Sequence, residues 1–238
     1  MRYSPAVLLA AAVAAVPTAA GAQAYQCAIP TAPQPVHADL PSDDQPRRVL
    51  PIGGYTLAIT WSPEYCHGHG QGAGREFECG GRNSFGWTLH GLWPDGVAAT
   101  WPQYCRATAL LPQATLRRNL CSTPSPQLLQ HEWSKHGTCT GMTPDQYFAK
   151  STGMFARLRF PDMAGLAAQG TSAGALAAAF ARANPGIRAD SIRVTASKSG
   201  WLDEIWFCLD RSFAVARCRP NSGGVDPATM LRIARPRT

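Results

Sequence analysis

The stretch Trp87-Thr88-Leu89-His90-Gly91-Leu92-Trp93-Pro94-Asp95 is rich in strand-forming side chains. Trp87 to Trp93 reads as a β-strand with Pro94 as its stop. Side chains alternate along a strand, which puts His90 opposite Leu89 and on the side of Thr88 and Leu92. A titratable ring on such a strand is either satisfied inside a core or used for chemistry.

Upstream, Tyr55, Leu57, Ile59 and Trp61 alternate and predict another strand, and Cys66 to Gly81 reads as a glycine-rich loop. Downstream, a helix is expected from Gln127 to Lys135, ending near Gly137. A second helix starts at Pro144 with Thr143 as cap and reaches Phe148 or beyond, weakened by Gly153. A third, alanine-rich helix is capped by Thr171 or Ser172 and ends before Asn184-Pro185-Gly186. Strand signals return at Ile192 and Val194 and at Glu204 to Leu209. Mixed, irregular order predicts an α+β fold, a central antiparallel sheet with packed helices in one disulfide-stapled domain.

The chain has 238 residues and a formal charge of +7. A basic start, the uncharged run Ala6 to Val16 and the small residues Ala20-Gly21-Ala22 and Ala22-Gln23-Ala24 predict a signal peptide over 1–24, cleaved after Ala22 or Ala24. That apolar run is too short for a bilayer span of about 20 residues, so no stable membrane insertion is expected. Export makes the eight cysteines disulfide partners, with about 105 pairings open to sequence alone. The expected location is secreted or periplasmic; no asparagine heads a glycosylation site, which favours a bacterial envelope. Residues 25–52 are proline-rich and read as an extended tether, 53–219 as the main folded domain, and 220–238 as a segment that pattern leaves undetermined. The basic balance agrees with a polyanionic partner without establishing one.

The second informative segment is His131-Glu132-Trp133-Ser134-Lys135-His136-Gly137-Thr138-Cys139. At about 100° per residue, His131, Glu132, Lys135 and His136 share one side of an α-helix, with Trp133 free to face the core. The plain alternative is a solvated charged face. His131-Glu132 begins like the zinc motif H-E-x-x-H, but Lys135 stands at the ligand position and the next histidine is at i+5, so no metal or other cofactor is expected.

These two segments resemble the two active-site signatures of the ribonuclease T2 family, His-Gly-Leu-Trp-Pro and His-Glu-x-x-Lys-His-Gly-Thr-Cys. Weaker resemblance covers about residues 53 to 219 and implies that they are the catalytic domain. It implies an endoribonuclease that cleaves single-stranded RNA through a 2′,3′-cyclic phosphate to 3′-phosphate products. It further implies His136 as base, His90 as acid, Lys135 and Glu132 as charge stabilisers and His131 as phosphate binder. Trp93 and Asp95 would read the base, helped by Trp101 or Tyr104; Leu128 stands where relatives often place an aromatic, which weakens the second base site. The resemblance pairs Cys105–Cys139, Cys208–Cys218 and Cys66–Cys79, leaving Cys27–Cys121 by elimination. The expected partner is single-stranded RNA and the expected state a monomer. The competing class is a secreted RNA-binding or signalling protein on the same fold with catalysis secondary.

Overall fold

The computed structural model describes residues 24–70, 72, 74–220 and 222–235. The expected signal peptide, 1–24, falls almost wholly outside the described residues. Within them the chain forms, in order, β1 (Ala24–Gln26), β2 (Ile52–Trp61), α1 (Ser62–His69), α2 (Glu76–Cys79), β3 (Ser84–Phe85), β4 (Trp87–Gly96), α3 (Gln113–Asn119), α4 (Pro126–His131), α5 (Pro144–Phe155), α6 (Met163–Gln169), β5 (Thr171–Ser172), α7 (Ala173–Ala183), β6 (Ile192–Ala196), β7 (Leu202–Leu209) and β8 (Met230–Leu231). The architecture is α+β. Its central sheet has the order β4-β2-β7-β6 and is antiparallel throughout.

The alternation in β2 decides which face is core. Tyr55, Leu57, Ile59 and Trp61 are buried and pack with Phe207 and Ile205 of β7, Ile192 and Val194 of β6, and Phe180 of α7. Thr56, Ala58 and Thr60 look the other way, toward the functional face. α5 begins with the expected capping box, the Thr143 hydroxyl accepting from the Gln146 N–H while the Gln146 side chain accepts from the Thr143 N–H. It runs on through Gly153 because Tyr147, Phe148, Ser151 and Phe155 form a buried stripe along it. Ser172 caps α7, its hydroxyl accepting from the Ala175 N–H.

Several expectations need correction. Pro94 does not stop β4, which runs to Gly96 and pairs Pro94 with Tyr55. β4 is an edge strand, where proline's missing N–H costs no ladder bond. The stretch from Cys66 to Gly81 is not all loop: Pro63 at the first turn and Glu64 behind it start a helix that carries Cys66. The α-helix expected over Gln127 to Lys135 ends at His131, and a wider turn takes over.

The proline-rich stretch is not a free tether either. The Arg117 guanidinium donates to the carbonyls of Pro30 and Thr31. The His37 N–H donates to the Gln127 side chain, and Arg48 exchanges two backbone hydrogen bonds with Gln103. Polar anchors hold the segment where apolar content could not. The chain's end is also placed: β8 pairs with β5, and Trp61 Nε1 donates to the Ala234 carbonyl. Four disulfides join Cys27 to Cys121, Cys66 to Cys79, Cys105 to Cys139 and Cys208 to Cys218. Among the described residues no helix is long and apolar enough to cross a membrane.

Candidate active site

Two local irregularities build the site. The first is a β-bulge at His90: Leu89 pairs with Ile59 and Gly91 with Ala58, so His90 is the extra residue. The bulge breaks the alternation. Leu89 and Leu92 both face the core, and His90 shares the opposite face with Trp93 rather than with Leu92. There the His90 and Trp93 rings meet edge to face at 5.0 Å.

The second is the π-helical turn Glu132–His136 that follows α4. Its i→i+5 character shows in the Gly137 N–H, which donates to the Glu132 carbonyl. In a turn this wide, residues five apart stack on one side. His131 and His136 therefore face each other with ring centroids 6.2 Å apart. The donor atoms of His131, Glu132 and His136 lie within 4.8 Å of one another, so the i+5 spacing used against a shared ligand set loses its force. Lys135 follows on the same turn. Trp133 goes to the core, where its indole N–H donates to Thr108.

The two segments meet at Trp93. Its indole N–H donates to Glu132 Oε2 at 2.9 Å, and its ring lies 5.6 Å from that of His136. Trp93 thus stands outside the core, half-buried between the two histidines and edge to face with Trp206 at 5.5 Å. Glu132 Oε1 is 3.5 Å from His90 Nε2. Behind His90, its Nδ1 hydrogen-bonds Glu204, which also accepts from Thr60 at 3.0 Å and from the Trp206 indole at 2.7 Å.

The electrostatics separate the two histidines. Burial alone would push His90 down, but the hydrogen bond and charge of Glu204, with the charge of Glu132, carry it up to about 9. His90 keeps 29 % of its side-chain surface open. Burial drives His136 well below the ordinary histidine value, and the cations Lys135, His131 and His90 add to that. His136 Nδ1 is buried with no hydrogen-bond partner among the described residues. Burial raises Glu132 to about 7, against the pull of His90, Trp93 and Lys135. Burial also lowers Lys135, with Glu132 opposing it.

Not every expected residue joins this cluster. Asp95 sits toward the end of β4, accepts from Thr56 at 2.9 Å, and is raised mainly by burial. Trp101 is 46 % exposed, lies under the Arg48 guanidinium and is not in ring contact with Trp93. Tyr104 is buried with φ of 50°, its N–H donating to the Lys135 carbonyl.

Two carboxylates were missed. Glu204 heads the strand signal Glu204 to Leu209, and its shared parity with Trp206 was the available clue. Asp39 lies in the proline-rich stretch, where no pattern marks it. Its Oδ2 is 3.0 Å from His131 Nδ1.

Residues 52–218 match the model of the Ribonuclease T2 family. A probable ribonuclease of Haemophilus influenzae is 31 % identical over 180 residues, covering 71 % of this chain and 62 % of that protein. A ribonuclease of Aeromonas hydrophila is 37 % identical over 93 residues, covering 39 % of this chain and 40 % of that one. The matched region thus spans less than two thirds of either relative. Among solved structures, trichomaglin, described as an S-like ribonuclease, superposes with a TM-score of 0.63 at 16 % identity, over 78 % of this chain and 98 % of that one. An RNase-related protein from Calystegia sepium gives 0.60 at 20 %, over 79 % and 98 %. At such identity the two structures speak for the fold, while the family model covers both histidine segments and most of the sheet: the chain belongs to the ribonuclease T2 family.

Proposed function

We propose that the protein is an endoribonuclease that cleaves single-stranded RNA by transesterification to a 2′,3′-cyclic phosphate and then to a 3′-phosphate. The observation that carries this reading is geometric: two histidines flank one tryptophan in unlike surroundings, their rings 5.0 Å and 5.6 Å from that of Trp93. Against the effect of burial, the Glu204 carboxylate on Nδ1 favours the protonated form of His90, while burial beside cations favours the neutral form of His136. Environments that drive two titratable groups apart assign the acid and the base.

In the first step neutral His136 takes the ribose 2′-OH proton as that oxygen attacks phosphorus. The P–O5′ bond breaks, and His90 delivers its proton to the leaving 5′-oxygen. In the second step the roles reverse, and water opens the cyclic ester. Lys135 stabilises charge growing on the phosphoryl oxygens, so no metal is required. Glu132, 3.5 Å from His90 Nε2 and fixed by the Trp93 indole, holds the two halves of the site together. His131 binds phosphate. Trp93 stacks against the base and Asp95 accepts from its exocyclic amine, with Trp101 at the rim. Glu204 is a positioning residue: it takes the Nδ1–H of His90 and leaves Nε2 as the atom that exchanges a proton with substrate.

Export to an oxidising compartment, secreted or periplasmic, goes with this reading. Four disulfides among the described residues support it. The working unit is taken as a monomer.

Incubating the purified protein with single-stranded RNA in excess EDTA tests the proposal. Early products should end in 2′,3′-cyclic phosphate, and 2′-O-methyl RNA should remain whole. Products with 5′-phosphate ends, or cleavage that stops with the chelator, would assign a metal-dependent nuclease instead.

A further inference from the structure

We propose that an arginine-lined cavity on the same face of the sheet is a second phosphate site, holding the backbone of the RNA strand a few nucleotides from the cut. The proposal rests on the reading of His90 and His136 as the cleaving pair.

One row of paired residues crosses all four strands: Gly91 of β4, Ala58 of β2, Trp206 of β7 and Arg193 of β6. The row starts under the Glu132 carboxylate, which lies against Gly91. Strands are spaced by about 4.8 Å, so Arg193 stands roughly 14 Å along the face from the reacting groups. Trp206 lies between them, half-buried, touching Trp93 on one side and covered at its six-membered ring by Gly223. Beyond it a cavity of about 500 Å³ is lined by Asp190, Arg193, Arg217, Cys218, Arg219 and Pro220.

The cavity is tied to the catalytic face at two points. Cys218 is bonded to Cys208, which lies two residues from Trp206 on β7 and so on the same side. The Arg219 guanidinium donates to the carbonyls of Gly96 and Gly53, and its charge acts on Asp95. Arg219 is therefore a wall shared by the cavity and the Asp95 end of the site.

The chemistry selects an anion. Arg193, Arg217 and Arg219 line the cavity against the single carboxylate of Asp190. That carboxylate is already taken by Arg188 at 2.9 Å and approached by Arg217 at 3.7 Å. Arg193 is held by the Ile192 and Arg219 carbonyls. Those bonds orient the guanidinium groups without neutralising them, and each group has five N–H donors, so donors remain for a ligand. Fixed planar forks suit phosphodiester oxygens.

The test compares kcat/KM for a dinucleoside monophosphate, whose one phosphate cannot reach the cavity, with that for a decanucleotide, over a range of salt. The variants are Arg217→Gln, Arg193→Gln and both together. The control is Arg182→Gln, the same charge change on α7 across the core. Each cavity substitution should lower the decanucleotide-to-dinucleotide ratio by about two- to fivefold. It should also flatten the decanucleotide's log–log salt slope by about 0.7. Arg182→Gln should alter neither. An unchanged ratio and slope, or an equal change with Arg182→Gln, overturns the proposal. If Arg193→Gln does not fold, Arg217→Gln, whose side chain is exposed, decides alone. Absence of cleavage on both substrates by the unaltered protein would instead reject the ribonuclease reading itself.

Discussion

The Glu132 carboxylate occupies the space where a side chain on Gly91 would begin: Oε2 lies 1.7 Å from the position of a β-carbon there, and Trp93 Nε1 lies 2.8 Å from it. The glycine after His90 is thus what lets the helical segment touch the strand.

Gly91→Ala should force Glu132 and the Trp93 indole away from β4. A displacement of about 1 Å in a catalytic constellation costs on the order of 10²-fold in rate. We expect a loss of that order in kcat in a variant whose circular dichroism remains native. A folded Gly91→Ala protein with near-normal kcat would show that the close approach of Glu132 is dispensable.

Glu204→Gln tests how His90 is held. Between the low value of His136 and the value of about 9 for His90, both groups are in their working forms, so the kcat/KM profile should be a broad plateau that falls as pH rises through about 9. Glutamine can still accept the Nδ1–H but carries no charge, so the alkaline limb should move toward the ordinary histidine value of about 6.5 while the acid limb stays low. Stability should follow the same sign. His90 holds its proton more tightly folded than unfolded, so the contribution of Glu204 is complete below about pH 6.5 and is lost as pH rises through about 9. The variant's deficit in Tm should accordingly be larger at pH 6 than at pH 10. An alkaline limb that does not move would leave Glu204 a merely structural residue.

The architecture was legible where local chemistry and tertiary packing agree. The alternation of Tyr55, Leu57, Ile59 and Trp61 marks a strand with one buried face, and Thr143-Pro144 with Gln146 marks a helix start; both stand in the structure. The family was legible because two long strings of unusual composition occur in order. The geometry within each string was not. Alternation cannot reveal the bulge that turns His90 away from Leu92 and toward Trp93, because a bulge is settled by pairing with β2. A constant 100° per residue cannot reveal the widened turn that brings His131 over His136. Asp39 and Glu204 reach the histidines across 92 and 114 residues of chain, and no local pattern records such contacts.

The Cys105–Cys139 bridge links stability to this geometry. Cys139 closes the 3-10 turn Gly137–Cys139 that follows the π-turn, and Cys105 adjoins Tyr104, whose N–H donates to the Lys135 carbonyl at 2.8 Å. The Cys105 N–H also donates to the Thr138 hydroxyl, which in turn donates to the Ser134 carbonyl. The bridge and these hydrogen bonds clamp the end of the segment that carries Lys135 and His136. For a sequence separation of 34, the chain-entropy model gives a contribution of about 4 kcal/mol. Replacing both cysteines by serine should therefore lower Tm substantially. It should also reduce kcat at temperatures well below the new Tm, because Lys135 and His136 lose their restraint while the core of the sheet is untouched. Thermal denaturation together with turnover at about 15 °C separates the two effects. Native turnover in the folded double variant would mean that the hydrogen bonds from Tyr104 and Cys105 suffice to hold the turn. A Tm equal to that of the parent would mean that the bridge adds nothing to stability, whatever it does for the site.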